Sequence, residues 1–386
     1  MDFTIRSAHY PVVMEGNVTN LAFAPISIAS VLAMAALGAV GQTEAELLHT
    51  IGGHQLDLTR ENVHKEIGEL LQLPFNVKTT GDDDDEYENS RLGSVANAMF
   101  VRDDFALQAE FKRNAKLHYN ADVQSIDFTS FQAINKINNW AFQHTYGKIP
   151  KILSIPPSPQ TEMILVSALF FKAAWQYPFD PKATTMLPFK ISETEKMMVP
   201  TMIHGNIALG YVKSEASRCT MISIPYKYDR YTGMTAMLVI IPDEIGGVER
   251  LIKEMAFRPE LYDELIENMK TKRVMLKMPK FSIETSMTLS RILQTMGVKK
   301  AFDLDTAQFP RMLPIGSRLR LDSVFHRARL DVDERGTTAA AVTSVSLNRF
   351  YIPVVHINRP FIILIKHQNT GLPIFWASVQ RPTLTS

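Results

Sequence analysis

From Gly336 to Leu347 the chain reads GTTAAAVTSVSL, a run without a single charge. Its alternate residues, Thr337, Ala339, Ala341, Thr343, Val345 and Leu347, suit one buried face of a strand, and the residues between them are uncharged too. Three consecutive alanines nevertheless make a poor permanent strand, whose centre favours β-branched or aromatic residues. The composition fits a segment that slides into a narrow gap. Gly336 in front of it has no Cβ to restrict a hinge. The run is bracketed by the charged Asp331-Val332-Asp333-Glu334-Arg335 and by Asn348-Arg349-Phe350-Tyr351, which sets a cation and two aromatics at its far end.

The rest of the chain supplies the body that such a segment needs. Residues 24–52 read as a buried helix followed by an amphipathic one, with Thr43 and Glu46 at capping-box spacing and Gly52-Gly53 as the stop. Helices are predicted over 61–73, 107–119 and 130–146, with a strand at 95–101. The chain then turns strand-rich, at 163–171 (MILVSALFF), 219–226, 235–242, 273–284 and 324–333, with helices at 245–256 and 285–297. The tail reads as two buried strands about the turn Asn369-Thr370-Gly371-Leu372-Pro373. Helices first and strands later, without a linker or repeat, point to a single α+β domain over residues 1–386.

Charge and cysteine content narrow the function. A net charge of +1 gives no global field for nucleic acid or an anionic membrane. Cys219 is the one cysteine, so no internal disulfide forms. No apolar run approaches the roughly 18–20 residues of a membrane span. The start, MDFTIRSAHYPVVMEGN, lacks the basic head and apolar run of a signal peptide: the chain is either not exported by that route or a mature form. Asn17-Val18-Thr19 is a glycosylation sequon, usable only if the chain meets the secretory machinery. The aspartates within 79–90 lack calcium-loop spacing and read as a solvated loop.

No catalytic motif is present: no G-x-S-x-G, no H-E-x-x-H, no Walker loop and no G-x-G-x-x-G. Cys219 in CTMISIPY reads as a buried structural thiol, and His326 in DSVFHRARLDV as a hydrogen-bonded core histidine. Basic clusters at 269–280 and 311–321 lack the interleaved aromatics of a nucleic-acid platform and read as solvated strand faces, with weak polyanion binding as the alternative.

Several motifs in one order make the chain similar to the serpins over nearly its whole length. VHINRPFIILI (355–365) resembles the family's C-terminal signature. Glu334-Arg335-Gly336-Thr337-Thr338-Ala339-Ala340-Ala341-Val342-Thr343 resembles its hinge, and NLAFAPISIAS, NNWAFQHTYGKI (with Asn138 first), LFFKAAW, PYKY, VIIPDE, MPKF, VFHRA and PIFWASVQRP match further segments. The resemblance implies three β-sheets with eight or nine helices and an exposed reactive-centre loop, here 335–356 with its hinge at 335–343. It implies a monomeric inhibitor, not an enzyme, with no catalytic residues, metal or cofactor. Its partner would be a target serine protease, held in a covalent complex once the cleaved loop inserts into the large sheet. An extracellular or cell-surface location follows from the resemblance, with a cytoplasmic one as the alternative.

Residue by residue, Glu334 and Lys280 match the ion pair at the top of the loop, and Trp175 matches the tryptophan beneath the insertion point. Ser27 and His326 match two members of the polar cluster that lets the central strands part. In that cluster Ala24 stands where the family has a serine, and Ser167 where it usually has an asparagine. Counting back from Pro360 makes Arg349-Phe350 the reactive bond, suiting trypsin-like proteases. Counting forward from Glu334 makes it Phe350-Tyr351, suiting chymotrypsin-like or cathepsin G-like ones. Arg349 is the sharper recognition element. A non-inhibitory serpin, a carrier or chaperone, is the remaining alternative, although such proteins tend to carry bulky, charged or proline-containing hinges.

Overall fold

The computed structural model describes residues 20–52, 60–75, 93–228, 233–314, 317–335 and 352–383. Strand β1 (Asn20–Phe23) leads into helix α1 (Pro25–Gly38), whose first turn holds Pro25, where a missing N–H breaks no helical bond. Helix α1 is apolar or small at every position and buried on nearly every side. Helix α2 (Gly41–Thr50) follows, and here the capping-box expectation fails. The helix starts at Gly41, two residues ahead of Thr43. The Thr43 hydroxyl instead accepts the Gln308 N–H at 3.1 Å, and Glu46 Oε2 accepts the N–H groups of Lys299 and Lys300 at 2.7 and 2.8 Å. Both side chains tie down a segment distant in sequence, which local spacing cannot reveal.

Helix α3 (Arg60–Gln72), β2 (Gly93–Arg102), α4 (Ala109–Tyr119), β3 (Asp122–Ile126) and α5 (Ala133–His144) complete the helix-rich part. Strands then dominate: β4 (Met163–Phe171), β5 (Thr185–Lys190), β6 (Lys196–Ser214), β7 (Cys219–Pro225) and β8 (Thr235–Pro242). After α6 (Gly247–Phe257) and α7 (Glu260–Glu267) come β9 (Lys270–Pro279), β10 (Phe281–Thr288), the short α8 (Ser290–Thr295), β11 (Ser323–Val332), β12 (Val354–His356), β13 (Phe361–His367) and β14 (Pro373–Val379). The single strand expected over 273–284 is two strands in different sheets, joined at Lys280. The helix expected at 285–297 is confined to 290–295, because 281–288 pairs with β11.

Five strands form one sheet in the order β10-β11-β4-β2-β3. The other nine form one hydrogen-bonded network, β1-β14-β13-β8-β7-β6-β9-β12, with β5 on β6. Two sheets meet within that network: β6 pairs β5 through 196–201 and β7 through 210–214, and its register on β9 shifts between His204 and Ile207.

The unbroken apolar run of β4 has a direct cause. Ile164, Val166 and Ala168 pack with Ile137, Trp140 and Ala141 of α5, while Met163, Leu165, Leu169 and Phe171 pack into the cores on the opposite face. Both faces are covered, so neither tolerates a charge.

Candidate functional site at the β4–β11 seam

Strand β11 leads toward the uncharged run that begins at Gly336. It lies parallel to β4, from Ser323 opposite Ile164 to Leu330 opposite Phe171, whereas the flanking pairs β10–β11 and β2–β4 are antiparallel. A chain that turned back from the end of β11 and entered this seam would run antiparallel to both neighbours. One slanted parallel ladder would give way to two antiparallel ones, which are more stable per residue.

A polar row crosses the seam inside the apolar core. Register sets Asn97 of β2 opposite Ser167 of β4, and Ser167 opposite His326 of β11. Ser27 rests on the row from the first turn of α1, and all four residues are buried. The Ala24 N–H donates to His326 Nε2 at 2.9 Å, so the neutral ring carries its proton on Nδ1. Nδ1 then donates to Ser167 Oγ at 3.0 Å, Ser167 to Ser27 Oγ at 2.6 Å, and Ser27 to Asn97 Oδ1 at 3.1 Å. Each of these four donors finds an acceptor, and the chain has one direction. Burial pushes the imidazole pKa down to about 3, against the opposing hydrogen bond with Ser167.

The two departures noted in the sequence are thus accommodated. Ala24 takes part through its backbone, and the amide absent at position 167 is present one strand over, at Asn97. Sequence reading missed Asn97, although an asparagine inside the apolar VANAMFV was a visible signal.

Beyond the end of β11 the chain is pinned. Trp175 Nε1 donates to the Asp333 carbonyl at 2.9 Å, and the Phe179 N–H to that of Glu334 at 2.9 Å. Trp175 is itself held by a parallel stack on Tyr226, with centroids 4.5 Å apart. Glu334 is only 7% exposed, so its charge needs partners. Lys280 Nζ lies 2.9 Å from its Oε2, and Thr184 Oγ1 donates to Oε1 at 2.8 Å. Burial alone would raise the carboxyl pKa, but the hydrogen bonds from Lys280 and Thr184 hold it below the ordinary value.

The chain returns on β12, which pairs in parallel with β9, Val354 opposite Met275 and His356 opposite Lys277. The departure and return of the intervening segment are therefore both fastened to the short stretch Met275–Lys280.

Glu334, Lys280, Trp175, Ser27, His326 and Ser167 form two groups, one on the seam and one at its end. Gly336, Thr337, Ala339, Ala340, Ala341, Thr343, Arg349, Phe350, Tyr351 and Asn17 lie outside the described residues, as does the acidic stretch 79–90. The supporting motifs have structural work: Asn138 Oδ1 accepts the N–H groups of Ile152 and Leu153 at 2.8 and 2.9 Å, and Arg359 Nε donates to the Pro242 carbonyl at 2.7 Å. Cys219 is buried, and burial pushes its thiol up to about 11, an unreactive value. Of the basic clusters, Lys270, Lys272 and Arg273 stand exposed at the start of β9, whereas Arg311 and Arg320 of the second cluster are paired locally. No helix among the described residues is long and apolar enough to cross a membrane.

The sequence model of the family described as Serpin (serine protease inhibitor) matches residues 2–382. Serine protease inhibitor A3F of Mus musculus is 30% identical over 97% of this chain and 81% of its own length. Serpin A3-1 of Bos taurus is 31% identical over 94% of this chain and 84% of its own. Among solved structures, human thyroxine-binding globulin complexed with thyroxine superposes with a TM-score of 0.85 at 27% identity, covering 99% of this chain and 97% of that one. Uncleaved ovalbumin shares the fold, with a TM-score of 0.83 at 22% identity over 99% of this chain and 98% of its own.

Proposed function

This chain belongs to the serpin family, and on that premise we propose that it is an irreversible suicide inhibitor of trypsin-like serine proteases. The observation that carries the reading is the β4–β11 seam: a parallel pairing, closed by one directed hydrogen-bond row, with its exit chain pinned at Glu334 and a small-residue segment attached to it.

In this reading the protease serine attacks the Arg349 carbonyl carbon. The Arg349-Phe350 bond breaks, the new α-amino group of Phe350 leaves with a proton, and Arg349 stays ester-linked to the protease. The freed segment enters the seam antiparallel to β4 and β11. Extended at about 3.3 Å per residue, residues 336–349 span roughly 45 Å, against roughly 33 Å for β11. The ester is thereby carried past the far end of the sheet, and the protease with it. Insertion parts Ser167 from His326 and converts a kinetically trapped sheet into a more stable one.

Each inward position must be uncharged and small or apolar for this to work: Thr337, Ala339, Ala341 and Thr343 are small, and Val345 and Leu347 beyond them are apolar. The likeness to thyroxine-binding globulin favours a second reading, a non-inhibitory carrier, and the hinge composition speaks against it. Phe350-Tyr351 as the reactive bond, with chymotrypsin-like targets, is the variant of the first. The exposed Lys270, Lys272 and Arg273 keep a weak polyanion contact within the proposal, alongside a monomeric, extracellular protein.

The deciding experiment incubates the protein with a panel of serine proteases and scores complexes that survive boiling in detergent. An inhibitor gives a stable band at the summed mass with at least one protease. Cleavage of the loop by every protease without such a band would sink the reading.

A further inference from the structure

The β4–β11 seam has a second closure, on the face opposite the polar row. Burial alternates along β11: Val324, His326, Ala328 and Leu330 are buried, whereas Phe325, Arg327 and Arg329 lie on the other, half-buried face. Register sets Val166 of β4 opposite Phe325 and Ala168 opposite Arg327. Val166 and Ala168 are on the face of β4 that α5 covers. His326 and Arg327, neighbours in sequence, therefore look out of opposite sides of one sheet.

The segment that follows α5 is carried by the β4 side of the seam. Asn138 of α5 accepts the N–H groups of Ile152 and Leu153 and donates through Nδ2 to the Leu153 carbonyl at 3.0 Å. The Ile149 N–H donates to Thr145 Oγ1 at 3.0 Å. Ile149, Ile152 and Leu153 are buried with Ile164, Val166 and Ala168 of β4, and Lys148 Nζ lies 5.7 Å from the ring centroid of Phe170. Lys151 stands in the middle of this stretch, and its carbonyl accepts a hydrogen bond from Arg327 Nη1. Phe325 packs against the same apolar cluster. A strap anchored on β4 thus reaches over the seam and is fastened to β11.

The second arm of the guanidinium points the other way. Arg327 Nε donates to Glu284 Oε1 at 2.5 Å, and Glu284 lies on β10, the strand that pairs with β11 on the side away from the seam. Entry of a further strand would widen the β4–β11 separation from about 4.8 Å to about 9.6 Å. The strap stays with β4 and Glu284 stays with β11. The bond to the Lys151 carbonyl must then break while the bond to Glu284 persists. The cation is never left without a partner, so this closure can open without orphaning a charge.

We propose that Arg327 is a clasp that sets the rate at which the seam opens, a positioning residue that holds the strap across the closed seam and releases it when a strand enters. The proposal rests on the inhibitory reading, and its test needs no protease.

The intact protein is mixed with a fluorescein-labelled synthetic peptide of residues 336–347, the segment that the reading places in the seam, and uptake is followed by native electrophoresis. Arg327→Lys keeps a cation for Glu284 but has no second arm. It should take up the peptide about three- to tenfold faster than the parent protein, the rate equivalent of one hydrogen bond. Arg327→Ala should be at least as fast, and Arg327→Lys carries the test alone if the alanine variant does not fold. Glu284→Gln leaves the clasp in place and should take up the peptide at the parent rate. Uptake by the parent protein without acceleration in Arg327→Lys overturns the clasp and leaves the inhibitory reading standing. So does equal acceleration in Glu284→Gln, which would trace the effect to the β10–β11 pairing. Absence of uptake by the parent protein and every variant overturns the clasp and the inhibitory reading together.

Discussion

Ser27 and Ser167 bring their hydroxyl oxygens to 2.6 Å across the junction of α1 and β4, and through that contact the row from His326 to Asn97 is continuous. Neither serine can be replaced by an apolar residue without orphaning a buried neighbour. Ser27→Ala leaves the Ser167 proton without an acceptor and Asn97 Oδ1 without a donor. The expected cost is about 1–3 kcal/mol, read as a lowered midpoint in urea. An unchanged midpoint would show that the row does not contribute to holding the sheet closed.

Acid should loosen the same seam. The His326 imidazole titrates near 3 in the folded protein and near its ordinary 6.5 when unfolded, so the unfolded chain takes up the proton first. This contribution is complete above pH 6.5 and falls as the pH drops toward 3, by about 2–3 kcal/mol at pH 4.5. Glu334 acts in the same sense at lower pH: its folded pKa is depressed, so its contribution is present above 4.5 and is lost below it. Denaturant titrations at pH 7 and 4.5 measure the sum. The His326 ring proton resonances isolate the first effect and should not move between pH 7.5 and 5.

Lys280→Ala should cost about 1–2 kcal/mol. It leaves the Glu334 carboxylate buried with only Thr184, and the figure is reduced because the lysine is a third exposed. Lys280→Arg should restore part of the loss. If Lys280→Ala and the parent protein melt together, the pair does not pin the exit of β11.

At the hinge, Thr337→Arg introduces a charge whose burial unpaired costs several kcal/mol. The variant should be cleaved as fast as the parent protein and form little or no detergent-stable complex. Full complex formation would exclude insertion beginning at this residue.

The reactive bond is read from the peptide released by trypsin or chymotrypsin. Mass spectrometry should find a fragment beginning at Phe350. One beginning at Tyr351 would move the bond by a residue and the target class to chymotrypsin-like enzymes.

How much of this was legible beforehand depended on whether a residue's role was local. Met163–Phe171 and Thr235–Pro242 were readable as strands with the observed bounds, because burial on both faces leaves unbroken apolar runs. Lys196–Ser214 was not seen at all. It is a long strand whose burial changes along its length as it passes from one sheet to another, so no single period persists. Thr43 and Glu46 misled for the complementary reason: their spacing suits a local cap, and their partners lie more than 250 residues away. In the seam, Ser27, Ser167 and His326 were named from the resemblance, but the direction of their hydrogen bonds rests on the Ala24 N–H, which no side-chain pattern encodes.

Both feet of the loop stand on Met275–Lys280, and this turns the uncut loop into a closed ring. Glu334 is tied through Lys280, and Val354 to His356 through the three residue pairs on β9. A segment fastened at both ends cannot lay its full length along the seam. It must first be cut, or β12 must peel away. In the proposed mechanism a protease does the former; the latter needs only three residue pairs to open. In the proposed mechanism the storage lifetime of the inhibitor is therefore a property of β12, the shortest of the described strands, and tightening β12 on β9 should lengthen it without altering the reactive bond.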